Sequence, residues 1–252
     1  MPPMPGPASI LITGASSGIG AALAMSYAAP GAHLALLGRS AQRLAEIAAR
    51  CKERGAMATV LALDVTDQAA MKEAIAGIDG RYPLDLVVAN AGIAKNQESP
   101  DFARQLVGTN IVGMLNTVEP ALEAMLPRQR GHIAVMSSLA AFRAFGGPPG
   151  YAGSKAWARL YGEALRGRYA GKGIAVSVVC PGFVATPMTQ GAAKGGMSAE
   201  DAAETIKAGL ARNLPRISFP RDMALRTWLA NALPDWWTDR AIRRKWQASQ
   251  RK

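Results

Sequence analysis

Tyr151 and Lys155 lie four positions apart in Tyr151-Ala-Gly-Ser-Lys155, a spacing that stacks a phenol and an ammonium on one face of a helix. A fixed positive charge beside a tyrosine favours the phenolate and draws its pKa down from about 10 toward working pH. A phenol so placed becomes a general acid for proton transfer to a substrate oxygen. The pair alone is a weak signal, and its weight depends on the elements that hold it.

Those elements are legible as an alternation. Helix-length segments run over Ile19–Ala29, Ala41–Arg54, Asp67–Ile78, Phe102–Met125 and Tyr151–Ala170. Short apolar runs lie between them at Ser9–Ile12, His33–Leu37, Met57–Leu63, Leu84–Ala89, His132–Ser137 and Ile174–Val179. These runs show little polar alternation, as strands buried on both faces do. Regular β-α alternation predicts an α/β fold, a doubly wound parallel sheet with helices on both faces and right-handed crossovers. There is no internal repeat and no interior linker, so residues 1–252 read as one domain.

The first strand runs straight into Thr13-Gly-Ala-Ser-Ser-Gly-Ile-Gly20 and then a helix. Gly14, Gly18 and Gly20 permit a tight turn, close approach of the backbone to a pyrophosphate, and close helix-to-strand packing; the phosphates then meet free N–H groups at the helix start. The second strand ends in Leu36-Leu-Gly-Arg-Ser-Ala41. A carboxylate there would bind the ribose 2′-OH of NAD, whereas an arginine accommodates the 2′-phosphate of NADP. Arg39 with no carboxylate nearby favours NADP(H) over NAD(H), because the guanidinium fork makes paired bonds to phosphate. The bland alternative is a solvated surface arginine.

Further signals follow in order: Asp64-Val65 after the third strand, Asn90-Ala-Gly92 after the fourth, then Asn110, Ser138, Tyr151, Lys155, Pro181-Gly182 and Thr186. With the glycine turn, they make the chain resemble the compact short-chain dehydrogenase/reductases over residues 8–190, including the family's usual thirteen-residue step from Ser138 to Tyr151. The resemblance implies a Rossmann-type sheet and a catalytic set of Ser138, Tyr151, Lys155 and Asn110. Tyr151 would protonate the carbonyl oxygen while nicotinamide delivers hydride to the carbon, and Ser138 would fix the same oxygen. Lys155 would lower the tyrosine pKa and hold the nicotinamide ribose, and Asn110 would hold a water linking Lys155 to solvent. In the same way Asp64 would accept from the adenine amino group beside the Val65 backbone. Asn90, Ala91 and Gly92 would line the ribose side, and Thr186 would bind the carboxamide. Gly14, Ser16, Ser17, Gly18, Ile19, Gly20, Pro181, Gly182 and Val184 complete the implied cofactor cradle. Asn90 and Asn110 also have a plainer reading, that of pinning strand and helix ends. Relatives dimerise through helices matching 102–125 and 151–170, so a homodimer or homotetramer is implied.

The activity implied is NADP(H)-dependent interconversion of a ketone and a secondary alcohol. Leu139, Phe142, Phe145, Gly146-Gly147, Phe183 and Met188 surround the carbonyl position and are apolar or small, which points to an uncharged, lipophilic substrate. A sugar- or polyketide-directed reductase remains open, as does a non-catalytic NADP(H) sensor. No metal site is expected. His33 and His132, far apart, read as ordinary polar residues.

Composition fits this picture. A hydrophobic content of 49% with 26 Gly suits a well-buried α/β domain. The cysteines, Cys51 and Cys180, suggest neither a disulfide framework nor a metal cluster. No apolar run approaches the ~20 residues that span a bilayer, and the proline-rich start lacks the pattern of a secretory signal. A cytoplasmic location follows, with loose membrane-surface association open through the tail. Residues 191–220 would supply the substrate loop, a helix and the last strand. Of the net charge of +11, residues 207–252 carry +8, with eleven Lys and Arg against three Asp and Glu. Four of the five tryptophans fall between Trp228 and Trp246, interleaved with arginines. Three roles compete for the tail from 221: a helical cap over the pocket, peripheral contact with a membrane surface, and, least favoured, nucleic-acid binding. A basic, tryptophan-bearing stretch is a common surface feature, so no nucleic-acid partner is expected.

Overall fold

The structure, a computed structural model, describes residues 8–95, 97–144, 147–189, 196–231, 233–234, 236, 238–240 and 242–243. Seven strands form one sheet: β1 (Ser9–Thr13), β2 (His33–Gly38), β3 (Met57–Ala62), β4 (Leu86–Ala89), β5 (Gly131–Met136), β6 (Ile174–Pro181) and β7 (Arg216–Phe219). Every neighbouring pair is parallel, in the order β3-β2-β1-β4-β5-β6-β7. The order reverses between β1 and β4, and a crevice opens at the carboxyl ends of strands at such a point.

Helices cover both faces. One layer packs α1 (Gly18–Tyr27), α2 (Ala41–Glu53) and α7 (Ala199–Ala211) around Ile10, Ile12, Leu34 and Leu36. The other packs α3 (Gln68–Arg81), α5 (Gly113–Met125) and α6 (Pro149–Tyr169) around Leu11, Val87, Ile133 and Val135. Alternate residues of β1 thus serve opposite layers, as the period of two requires. Gly162 lets α6 lie flush on the sheet, for a Cβ there would come within 2.6 Å of Val178 Cγ2.

The expected strands and the helices between them are present, their ends unchanged or shifted by up to three residues. One helix differs. The segment expected as a single helix over 102–125 is α4 (Pro100–Leu106), a π turn over Val107–Val112, and α5. The wider turn falls where the Asn110 side chain is drawn into two bonds with Ile93. Single π turns inside helices are often found at functional sites. The histidines do ordinary structural work, His33 Nε2 bonding to Thr59 and His132 Nε2 to Ser177.

After β7 comes α8 (Arg221–Asn231). Its Met223 and Ala224 pack against Leu139, Val178 and Cys180. Arg143 donates from Nη1 to the carbonyls of Ala230 and Leu233, 3.1 and 3.2 Å away, and so ties the end of α8 to the segment that follows β5. Residues 244–252 of the tail lie outside the described residues.

Candidate active site

A cleft of about 280 Å³ opens along the carboxyl ends of the strands on either side of the β1/β4 switch point. Its floor at one end is the β1–α1 turn. Gly14 and Gly18 have φ of 66° and 54°, the left-handed region that glycine enters freely. A Cβ on Gly20 would lie 2.3 Å from the Gly14 carbonyl oxygen, so turn and helix touch directly. The Ser17 side chain caps none of the first-turn N–H groups of α1, and Ser17, Gly18 and Ile19 line the cleft, where a helix start can receive an anion. Thr13 fastens this turn to β4: its Oγ1 accepts from the N–H groups of Asn90 and Ala91, both at 3.0 Å. Asn90 Nδ2 returns a bond of 2.9 Å to the Thr13 carbonyl.

Arg39 enters the cleft from the end of β2, and Arg43 from the first turn of α2, whose cap is Ser40. Asp64 is the one carboxylate among the cleft-lining residues. Its Oδ1 accepts from both the backbone N–H and the hydroxyl of Thr66, at 2.9 Å. Val65, Asn90, Ala91 and Gly92 continue the wall, and Pro181, Gly182, Val184 and Thr186 form the opposite side.

At the inner end, Ser138 follows β5 and lines the cleft with Tyr151, its Oγ donating to the Pro181 carbonyl at 3.4 Å. Lys155, one turn further along α6, is 4% exposed and donates from Nζ to the Met136 carbonyl at 3.0 Å. A Cβ on Gly92 would lie 3.4 Å from Lys155 Nζ and 3.3 Å from Asn110 Oδ1, which marks how closely these groups crowd. Asn110 is fully buried behind the lining. Its Oδ1 accepts from Ile93 N at 2.8 Å, and its Nδ2 donates to Ile93 O and to Ser154 Oγ. Ser154 Oγ in turn donates to the Tyr151 carbonyl at 2.8 Å. The residues expected to serve catalysis and cofactor binding all line this one cleft except Gly20 and Asn110, which stand directly behind it.

Residues 8–195 match the sequence profile of the family described as short chain dehydrogenase. An uncharacterized oxidoreductase of Myxococcus xanthus is 35% identical, over 93% of this chain and 96% of its own length. A serine 3-dehydrogenase of Rhizobium radiobacter is 36% identical, over 77% of this chain and 78% of its own. The chain belongs to the short-chain dehydrogenases. Among solved structures, a short-chain dehydrogenase from Sphingobium yanoikuyae in complex with NADPH superposes with a TM-score of 0.80 at 25% identity. That match covers 88% of this chain and 91% of the other.

The electrostatics of this short-chain dehydrogenase depart from the sequence expectation in one respect. Tyr151 is not depressed. Burial pushes its phenol above the ordinary tyrosine value, and the neighbouring Ser138 hydroxyl only partly offsets that. Lys155 Nζ stands 5.8 Å from the Tyr151 ring centroid and is engaged by Met136. Its own pKa falls to about 8 through burial, with Cys180 opposing. Desolvation therefore outweighs the charge effect that the four-residue spacing suggests.

The expected carbonyl pocket is also redrawn. Of the apolar residues placed there, Met188 lines the cleft. Leu139 instead joins the cluster under α8, and Phe142 packs against that cluster between the guanidinium groups of Arg159 and Arg216. Phe183 is exposed, Gly147 is not among the lining residues, and Phe145 and Gly146 lie outside the described residues. Leu139 and Phe142 bury their apolar surface in the cluster that Met223 and Ala224 of α8 join. Sequence reasoning missed Arg43, Ile93, Thr109, Met136 and Ser137 as lining residues. Only Arg43 left a usable sign, a second arginine four residues after Arg39, in the first turn of the helix that follows.

Proposed function

We propose that the enzyme interconverts a ketone and a secondary alcohol with NADP(H), with Tyr151 as the proton donor. The observation that carries this reading is the arrangement of the cleft. Ser138, Tyr151 and Lys155 meet at one end and Arg39 and Arg43 stand at the other. Bound nicotinamide supplies or takes the hydride. The chain's own residues do the rest. Tyr151, held protonated by burial, keeps its proton until negative charge develops on the substrate oxygen, and Ser138 provides a second donor to that oxygen. Lys155, an ammonium below about pH 8, would hold the nicotinamide ribose beside Gly92. Asn110 would support it from behind through the bonds that fix Ile93 and Ser154.

The cradle suits a dinucleotide. The turn holding Gly14, Ser16, Ser17, Gly18 and Ile19 offers uncapped N–H groups to a pyrophosphate, with Gly20 backing it. Asp64 with Val65 would meet the adenine, Asn90, Ala91 and Gly92 the ribose, and Pro181, Gly182, Val184 and Thr186 the nicotinamide side. Preference for NADP over NAD is supported by two arginines, and no carboxylate, where β2 gives way to α2. The Sphingobium relative, bound to NADPH, supports it too.

An uncharged, lipophilic substrate is supported by Ile93, Val184 and Met188 around the inner end. Arg143, the nearby cation in sequence, is turned toward α8. A small carboxylate-bearing substrate is the second reading, favoured by the relative named for serine. We read residues 1–252 as one domain that acts in the cytoplasm as a homodimer or homotetramer. Among the described residues, no helix is long and apolar enough to cross a membrane. Peripheral membrane contact through the tail is supported by exposed Leu225, Trp228 and Leu229 on α8.

NADPH oxidation over a graded series of ketones and 3-oxoacyl thioesters tests the reading, with Tyr151→Phe as the blank. Rates that climb with chain length and vanish in the blank are expected. Tight NADPH binding without turnover would favour the sensor alternative, and activity confined to small charged acids would favour the second reading.

A further inference from the structure

The first turn of α6 carries Tyr151, and its start is unusual. A helix leaves about four N–H groups without intrahelical partners at its beginning. Here Pro148 and Pro149 contribute none, and Ala152 N already bonds the Pro148 carbonyl at 3.0 Å. Two donors remain, Gly150 N and Tyr151 N. Both end on one carboxylate: Glu98 Oε2 accepts from Gly150 N at 2.7 Å, and Glu98 Oε1 from Tyr151 N at 2.8 Å. Glu98 lies more than fifty residues earlier, on the segment that leaves β4 through Ile93 and enters α4 at its cap, Ser99.

The fit is close. A Cβ on Gly150 would lie 2.8 Å from Glu98 Oε2 and 3.2 Å from Leu106 Cδ1, so the bare glycine leaves the carboxylate the room it occupies, and a side chain there would make it shift. A carboxylate at a helix N-terminus also gains from the helix dipole. The Tyr151 carbonyl is held by Ser154, which is held by Asn110, which holds both backbone groups of Ile93. Tyr151 is therefore fixed at its N–H by one end of the 93–98 segment and at its carbonyl by a chain leading to the other. We propose that Glu98 is a positioning residue for Tyr151: its carboxylate clamps the backbone of the tyrosine turn and sets where the phenol sits relative to Ser138 and the cleft. The clamp acts on the backbone and makes no contact in the cleft, so it governs the proton-transfer step and leaves cofactor affinity alone. A displacement of about 1 Å at a reacting group can cost on the order of a hundredfold in rate.

The inference rests on Tyr151 being the proton donor, and its test separates the two. Glu98→Gln is nearly isosteric but must turn an NH₂ toward one of the two amides. Gly150→Ala leaves Glu98 intact and drives a methyl against its carboxylate. Both variants should lower kcat for ketone reduction by about tenfold or more, with NADPH Kd unchanged within about twofold. The amides of Gly150 and Tyr151, read by hydrogen exchange in peptides spanning 148–155, should exchange at least about tenfold faster than in the parent. Wild-type kcat with unchanged exchange in Glu98→Gln overturns the proposal. So does a loss of NADPH affinity equal to the loss in kcat, which would indicate general damage. If the parent turns over no carbonyl at all, the reading of Tyr151 fails. The exchange of those two amides still decides the clamp: unchanged exchange overturns it, faster exchange upholds it.

Discussion

Protonation at Lys155 sets the scale of chemistry at single residues. Burial lowers this lysine to about 8 and raises Tyr151, so below pH 8 both groups carry their protons, the form that the proposed ketone reduction would use. Above that value Lys155 loses its charge while Tyr151 stays protonated. Reductive kcat/KM is therefore expected to be flat below about pH 8 and then to fall about tenfold per pH unit, as pH–rate profiles would read. A plateau extending past pH 10 would show that the ammonium is not needed. Replacing Arg39 or Arg43 by Ala should raise the KM for NADPH about tenfold and leave that for NADH unchanged. The residues that were legible beforehand are those whose type alone implies chemistry, such as Tyr151, Lys155, Ser138 and the glycines. Glu98 was not legible, because it binds backbone amides more than fifty residues away and backbone partners leave no mark on side-chain patterns.

Elements decide how accurately those residues meet. Strands and crossovers were readable because doubly buried strands are uniformly apolar and the helices between them are not. The π turn at Val107–Val112 was not, since the bonds of Asn110 to Ile93 that accompany it depend on tertiary proximity and not on local propensity. The expected pocket wall failed for a related reason: Leu139 and Phe142 had a competitor for their apolar surface in α8, whose docking no periodicity announces. Contact between α6 and the sheet offers a direct test of element placement. Gly162→Val forces bulk against Val178 and Val135. It should cost about 1–3 kcal/mol in urea unfolding and lower kcat more than it changes NADPH affinity, because α6 carries Tyr151 and Lys155 as one rigid body.

For the whole molecule, charge and apolar exposure coincide at the C-terminal end. Trp228 and Trp236 are 60% and 70% exposed, near Arg226, Arg240 and Arg243, in the region holding most of the net charge. The full chain should co-sediment with vesicles containing anionic lipid and be released by about 0.5 M salt; a chain ending at residue 220 should stay in solution. Equal sedimentation of both would remove the membrane reading. At the opposite extreme of accessibility stand the thiols. Cys51 belongs to the layer of α1 and α2, and Cys180 to the cluster beneath α8. Both are buried, and burial raises both, Cys180 to about 11. An alkylating reagent needs an accessible thiolate, so the folded chain is silent toward it. Each cysteine is thus a built-in clock, and the two labelling rates would time how often separate layers of the molecule come apart.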